Sequence, residues 1–362
     1  MSNPISAALI SISGFSLTDE EKRVIAQSQP LGVTLFLRNI CTRKQVAELC
    51  RQIREAAQRE DIIIAVDQEG GRVRRLAEPE FRPYASQYVL GRLEQELGAQ
   101  KADVATRDHA LLISHDLKDC GINLNYAPVL DLAFDETASV LKSRCFGNNE
   151  KQAARLGKIM IDTYIQNGIC PCIKHMPGHG RITVDPHLGL PVLTQSLKEL
   201  EKDFYPFRML HAAPAGMTAH VVIPEIDDKN PITQSANGIK ELIRGFIGFD
   251  GLLISDSINM RALKGNLGDI TSQCIAAGCD CVCYCDGIAQ ESAEVCKKAG
   301  FMSDKSMIRF EKIRNLFHHK TSIVNLENVA AEYEAITGQI EKYRDDYDAT
   351  EVLNIMKRNK GE

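Results

Sequence analysis

Eight short apolar segments, each followed by a stretch with helical periodicity, constrain the fold of this chain more than any other feature of its sequence. Several of them are apolar at almost every position, which is typical of parallel strands that are buried on both faces. The stretches between them are amphipathic, as at 42–60 and 151–168. The eight segments are AALISIS (7–13), GVTLFL (32–37), IIIAV (62–66), INLNYAP (122–128), ICPCIKH (169–175), MTAHVVI (217–223), LLISDS (252–257) and CDCVCYC (279–285).

This alternation of strands and helices over about 300 residues predicts an α/β fold of the (β/α)8 type, the TIM barrel. A doubly wound open sheet is the alternative architecture, but no GxGxxG motif follows any of the eight segments. We expect a single domain in which residues 1–300 form the barrel and residues 301–362 form charged C-terminal helices that close it or pack on it. These last residues carry no motif with a chemical role.

The composition excludes several classes of protein. Of the 362 residues, 44% are hydrophobic and 25% are charged, so the chain is globular and not disordered, collagenous or coiled-coil. A net charge of -5 offers no broad cationic surface to a nucleic acid. No apolar run approaches the roughly 18–20 residues of a membrane helix, and the N-terminus lacks the basic region of a secretory signal. We therefore expect a cytoplasmic monomer without nucleic-acid or membrane partners.

Twelve cysteines are scattered along the chain, and four of them alternate with other residues at 279, 281, 283 and 285. Without a secretion signal, reduced thiols are expected and not a disulfide framework. On a strand, the four sulfurs would line one face at intervals of about 6.6 Å. One zinc ion, with Zn–S bonds of about 2.3 Å, could not hold all four. The pattern predicts buried thiols that pack as small hydrophobic side chains.

Polar residues follow the ends of several predicted strands, where the active site of a barrel is built. They are Asp67, Asp131, Lys174–His175, His220 and Asp256.

The richest segment is KHMPGHGRITVDPHLGLP, residues 174–191, which contains three of the nine histidines. A metal site of His175, His179 and His187 is one interpretation, but Pro177 and the flanking glycines disfavour the helix that an HxxxH pair needs. Acid–base chemistry is the other. Asp185 lies two residues before His187, so in an extended loop its carboxylate can fix the imidazole tautomer and raise the basicity of the ring. Such a pair can deliver a proton near neutral pH.

Two further motifs place carboxylates at strand ends. AVDQEGGRVRRL combines Asp67 with Arg72 and Arg75, which suits recognition of vicinal hydroxyls or of an anionic group, although an exposed turn with surface ion pairs has the same pattern. ISDSINM places Asp256 after the seventh segment, where it could be a nucleophile, a metal ligand, a substrate contact or a helix cap.

Taken together, the motifs of the chain resemble those of a known family. VDQEGGRVRRL, NYAPVLDL, RCFG, KHMPGHG, VDPH, MTAHVVIP and SDSINM occur in this order between residues 66 and 260. In this respect the chain is similar to the single-domain β-N-acetylhexosaminidases of glycoside hydrolase family 3, the type used in bacterial cell-wall recycling. The resemblance covers roughly residues 7–287, and the KHxPGHG motif followed by DxH is its most specific part.

The resemblance implies a role for eight residues. Asp256 would be the catalytic nucleophile, and His187, oriented by Asp185, would be the general acid and base. The pocket for a terminal N-acetylglucosamine would be formed by Asp67, Arg75, Arg144, Lys174 and His175. The implied activity is removal of N-acetylglucosamine from muropeptide fragments in peptidoglycan recycling, a small-carbohydrate substrate, with no metal or organic cofactor.

The chain departs from the family pattern at three positions, where Met176, Pro186 and Ser257 replace the usual Phe, Ser, and Asp or Ala. Pro186 fixes φ between the two members of the acid–base pair. Four alternatives remain open: a phosphorylase that transfers the sugar to phosphate, a related β-glucosidase, a metal-dependent hydrolase that uses the histidine cluster, and a sugar-binding barrel without turnover.

Overall fold

Eight parallel strands form a closed barrel at the centre of the computed structural model, which describes residues 4–182 and 189–340. Each strand pairs with the next, and β8 pairs with β1, which closes the barrel. Every predicted segment overlaps one strand, so the (β/α)8 prediction is confirmed. The strands are β1 (Ser6–Ser11), β2 (Pro30–Leu35), β3 (Ile63–Val66), β4 (Leu124–Asn125), β5 (Cys170–Met176), β6 (Ala215–Thr218), β7 (Leu252–Ser257) and β8 (Cys281–Cys283).

Helices follow the strands and cover the barrel. The helix at Arg43–Ala57 illustrates why these segments are helical and face the barrel. Its Val46, Leu49 and Ile53 are buried at helical spacing, and the Thr42 side chain caps its first turn by accepting a hydrogen bond from the Gln45 N–H. The α-helices are α1 (Asp19–Ser28), α2 (Arg43–Ala57), α3 (Gln87–Leu97), α4 (Ala99–Asp119), α5 (Ser139–Lys142), α6 (Glu150–Gln166), α7 (Leu197–Met209), α8 (Leu267–Ala277), α9 (Ala289–Ala299), α10 (Asp304–Leu316) and α11 (Leu326–Thr337), and a π-helix spans Gly238–Phe246.

The cysteines are free thiols, as the sequence predicts. On β8, Cys281 and Cys283 are buried, and the Cys283 Sγ lies 3.8 Å from the Thr34 Oγ1 inside the barrel. Burial raises the pKa of the Cys279 and Cys281 thiols, so they stay protonated and pack as small apolar groups. Cys285, beyond the end of β8, is the member of this series that is only half-buried.

The two C-terminal helices contact different parts of the barrel. Arg309 on α10 forms ion pairs of 2.9 Å with Asp280 and 2.7 Å with Asp250, next to the first residues of β8 and β7. Helix α11 packs against α3 and α4. The division of the chain near residue 300 stays a prediction. Among the residues that the structure describes, no helix has the length and apolarity needed to span a bilayer.

Candidate active site

The carboxyl ends of β3, β5 and β7 bring most of the predicted site residues to one end of the barrel. Asp67 follows β3, Lys174 and His175 lie on β5, and Asp256 lies on β7. Asp185 and His187, like Pro186 between them, lie outside the described residues, so the arrangement of the predicted acid–base pair stays a prediction.

Four predicted pocket residues meet in a buried ion cluster. The Lys174 Nζ lies 2.7 Å from the Asp67 Oδ1, and the Arg75 Nη2 lies 3.4 Å from the Asp67 Oδ2. A residue that the sequence analysis did not identify completes the cluster: Glu69 accepts two hydrogen bonds from Arg144, of 2.9 and 2.8 Å, and lies 2.6 Å from the Lys174 Nζ. This ion cluster connects the loop after β3 with β5 and with the segment that carries Arg144.

The cluster keeps its groups charged although they are buried. Burial raises the pKa of Asp67, but Lys174 and Arg75 lower it by more, so the pKa lies well below its usual value. Burial also raises the pKa of Glu69, and Arg144 and Lys174 again outweigh it. Conversely, burial lowers the pKa of Lys174, and the two carboxylates raise it above the ordinary value. Three cations therefore face two carboxylates at neutral pH.

A second cluster is formed by Asp131, His175 and His179. Asp131 accepts from the His175 Nδ1 at 2.7 Å and from the His179 backbone N–H at 2.9 Å, and the two imidazole rings stack with centroids 4.3 Å apart. Burial lowers the pKa of His179 to about 3, so this ring is neutral at physiological pH. Among the described residues, these three side chains also offer ligand atoms within 4.8 Å of one another, an arrangement that could hold a metal ion.

The third component is Asp256 with its surroundings. Its Oδ1 accepts from the Ser257 N–H at 2.7 Å, and its own N–H donates to the Thr218 hydroxyl at 3.3 Å. Burial raises the pKa of Asp256, but the imidazoles of His220 and His175 lower it by more, so the pKa falls below the usual value. The structure thus provides an ionised carboxylate at the carboxyl end of β7.

His220 is held beside this carboxylate by two hydrogen bonds. Its Nε2 lies 3.0 Å from the Ser257 carbonyl oxygen and therefore carries a proton, since a carbonyl only accepts. Its Nδ1 lies 2.8 Å from the Thr233 hydroxyl, which also donates to the Ala219 carbonyl at 3.1 Å.

Sequence reasoning missed the roles of three residues in this site. Asp131 and His220 were recognised only by their position after strands, and Glu69 was not singled out at all. The available signal for Glu69 was its place two residues after Asp67, in a Gly-rich turn at the end of a barrel strand.

Known proteins share both the sequence pattern and this architecture. Residues 6–316 match the model of the glycosyl hydrolase family 3 N terminal domain. A beta-hexosaminidase of Neisseria meningitidis serogroup A is 37% identical over 288 residues, which are 78% of this chain and 79% of that protein.

Two solved structures extend the likeness. NagZ from Neisseria gonorrhoeae in complex with N-trifluoroacetyl-D-glucosamine superimposes with a TM-score of 0.82 at 31% identity, covering 92% of this chain and 98% of that one. A glycoside hydrolase family 3 beta-N-acetylglucosaminidase from Paenibacillus gives a TM-score of 0.80 at 26% identity, covering 91% of this chain and 66% of that one.

The ion cluster predicts a large effect of replacing its central cation. Lys174→Met leaves two buried carboxylates without their shared partner, so we expect a loss of about 3–5 kcal/mol in the free energy of unfolding at pH 7. Chemical denaturation monitored by circular dichroism measures it. The matched control is Lys158→Met, which removes an exposed ion pair to Asp162 and should change the stability little.

The same substitution has a predicted pH dependence. The folded-state pKa values of Asp67 and Glu69 are lowered, so their pairing stabilises the wild type above pH of about 4, and this stabilisation fades as the pH falls further. The difference between wild type and Lys174→Met should therefore stay nearly constant from pH 7 to about pH 5 and shrink as the pH falls below about 4. A difference that stays constant below about pH 4 would contradict the proposed ionisation of the two carboxylates.

Proposed function

Because the chain belongs to glycoside hydrolase family 3 and is thus a glycoside hydrolase, we propose that it removes terminal β-linked N-acetylglucosamine with retention of configuration. The names of its relatives support N-acetylglucosamine as the sugar that is removed. They are a beta-hexosaminidase, a beta-N-acetylglucosaminidase, and a NagZ in complex with N-trifluoroacetyl-D-glucosamine. The observation that carries the mechanism is the position of the half-buried Asp256 carboxylate at the end of β7, where neighbouring groups lower its pKa.

The first step forms a covalent glycosyl-enzyme. An oxygen of Asp256 attacks the anomeric carbon while the bond from this carbon to the glycosidic oxygen breaks. His187 donates its proton to the leaving oxygen, and Asp185 orients the imidazole. In the second step water attacks the same carbon, His187 takes a proton from that water, and Asp256 leaves as a carboxylate. Two inversions give net retention.

The ionisation state of the described residues supports this division of roles. A carboxyl group with a lowered pKa is a poor proton donor at neutral pH but a competent nucleophile. The histidines around it are engaged elsewhere: His175 donates to Asp131, His179 is neutral, and His220 donates to the Ser257 carbonyl. The family resemblance implies a proton donor on another segment, at His187, and we assign this role to that residue.

The ion cluster would form the sugar-binding side of the pocket together with His175. The side chain of Asp67 is 18% exposed, whereas those of Lys174 and Glu69 are only 1% exposed. We therefore propose that Asp67 contacts sugar hydroxyls and that Glu69 holds the cations behind it. A carboxylate held by a lysine and an arginine is a fixed acceptor for two vicinal hydroxyl donors.

Within this class of substrate we propose N-acetylglucosamine β-1,4-linked to 1,6-anhydro-N-acetylmuramic acid, with or without a stem peptide. This assignment and a role in peptidoglycan recycling rest on the family resemblance. The cytoplasmic location and the monomeric state are expectations from the composition of the sequence.

Asp256→Ala tests the nucleophile. We expect kcat to fall by roughly 10³-fold or more, because the covalent step loses its attacking group, while the melting temperature changes little. A 2-fluoro glycosyl substrate, which slows the second step, should label Asp256 in the wild type, as read by peptide mass spectrometry. Asp61→Ala is the matched control, since Asp61 precedes β3 at the opposite end of the barrel and should be dispensable for turnover. Labelling of another carboxylate would overturn the assignment.

A leaving-group series tests His187 as the proton donor. His187→Ala should lower kcat/KM strongly for substrates with poor leaving groups and much less for activated aryl glycosides, whose phenolates leave without protonation. Asp185→Asn should give a loss of roughly 10²–10⁴-fold with poor leaving groups. A defect of His187→Ala that is independent of the leaving-group pKa would exclude the residue as the acid.

A substrate panel separates the proposal from its alternatives. We expect hydrolysis of an aryl β-N-acetylglucosaminide at a rate unaffected by phosphate or chelator, with the β-glucoside and β-N-acetylgalactosaminide as comparisons. A sugar 1-phosphate formed only with phosphate would identify a phosphorylase, and preferred cleavage of the β-glucoside would identify a glucosidase. Loss of activity with a chelator, restored by zinc, would identify a metal-dependent hydrolase at the Asp131, His175 and His179 cluster.

A further inference from the structure

Helix α11 lies beyond residue 316, where the match to the family model ends, yet one of its side chains reaches the loop after β3. Tyr333 is 1% exposed. Its ring packs against the rings of Tyr84 and His109, with centroids 6.4 and 5.9 Å away. The hydroxyl group is thereby carried into the interior, where it needs hydrogen-bond partners.

Two hydrogen bonds connect this hydroxyl to the loop. The Ala85 N–H donates to the Tyr333 Oη at 2.8 Å, and the same oxygen lies 3.1 Å from the His109 Nδ1. On the other side of the ring, the His109 Nε2 lies 3.1 Å from the backbone carbonyl oxygen of Glu69.

The positions of the protons in this series of hydrogen bonds follow from the groups at its two ends. The Glu69 carbonyl can only accept, so His109 carries its proton on Nε2, and Nδ1 accepts from the Tyr333 hydroxyl. Burial lowers the pKa of His109 to about 4, which keeps the ring neutral and preserves this single arrangement at physiological pH. Each group in this series of hydrogen bonds then has a partner. Removing the Tyr333 hydroxyl would leave both the Ala85 N–H and the His109 Nδ1 without a partner.

The turn that follows Glu69 packs closely against His109. Gly70 has a φ of +96°, and a Cβ at this position would lie 2.8 Å from the His109 Cε1 and 2.2 Å from the Ala85 carbonyl oxygen. His109 therefore supports the turn by contact as well as by its hydrogen bond to Glu69.

We propose that Tyr333 is a positioning residue of the sugar pocket, acting through His109 on the backbone of Glu69. The Glu69 carboxylate holds Arg144 and Lys174, so a shift of its backbone would displace the cations behind Asp67. The C-terminal helix thus contributes to substrate binding without contacting substrate. The effect on the sugar rests on the proposed function, whereas the effect on the loop does not.

Tyr333→Phe tests the proposal, because it keeps the ring and removes only the hydroxyl. We expect KM for an aryl β-N-acetylglucosaminide, and the Kd of N-acetylglucosamine, to rise roughly three- to tenfold, the scale of one hydrogen bond, with kcat within about twofold of the wild type. Hydrogen exchange of the backbone amides in residues 67–86 should become faster by a similar factor. Glu327→Gln is the matched control: it removes an exposed charge in the first turn of α11 and should leave all three quantities unchanged.

Unchanged exchange in residues 67–86 would overturn the inference, whatever the kinetics show. Faster exchange throughout the protein, or a fall in kcat with KM unchanged, would also overturn it, since these are the signs of a merely structural role. A wild-type protein that does not cleave β-N-acetylglucosaminides would refute the proposed function, and the exchange measurement would still decide on Tyr333.

Discussion

The buried ion pair between Lys174 and the carboxylates of Asp67 and Glu69 is the interaction on which the rest of the site depends. A lysine ammonium that is 1% exposed has lost its water, and only close opposite charges and hydrogen bonds can compensate for that loss. Here they come from the loop after β3, while Lys174 lies on β5. Since these strands are separated by β4, the cluster fixes two non-adjacent parts of the barrel mouth relative to each other. The binding surface is thus stabilised by the groups that would recognise the sugar.

Burial has opposite consequences in the neighbouring clusters. Where carboxylates meet lysine and arginine, paired charges outweigh desolvation and the groups stay ionised. His179 has Asp131 as its carboxylate partner and shares it with His175. For His179 the effect of burial on the pKa exceeds the effect of this carboxylate, so the ring stays neutral. Asp256 faces imidazoles and a backbone N–H, which suffice to keep it ionised. One end of the barrel therefore carries fixed charges for the proposed recognition of the sugar and an ionised carboxylate for the proposed nucleophilic attack.

Local patterns in the sequence predicted the barrel and the strand-end residues because both depend on short-range order. Apolar runs identify the strands, and in a barrel the residues at the carboxyl ends of the strands lie at the same end. This rule located Asp67, Lys174 and Asp256. Glu69 was not identified from the sequence because its main partner Arg144 is 75 positions away, in a segment without strand or helix periodicity. Tyr333 is separated from His109 by 224 positions, and a tyrosine in an amphipathic helix looks like any other core residue. For the same reason, the sequence of the C-terminal helices gives no information on their role.

The ion cluster also bears on the choice between water and phosphate as the second substrate. A phosphate site needs donors that are not already engaged and a clear excess of positive charge. Lys174 is shared by two carboxylates, and Arg144 donates two of its N–H groups to Glu69. The three cations of the cluster exceed its two carboxylates by only one charge, so the cluster holds Asp67 as an acceptor for neutral hydroxyls more readily than it attracts a dianion. On these electrostatic grounds the ion cluster suits a neutral sugar better than phosphate, in agreement with the proposed hydrolysis.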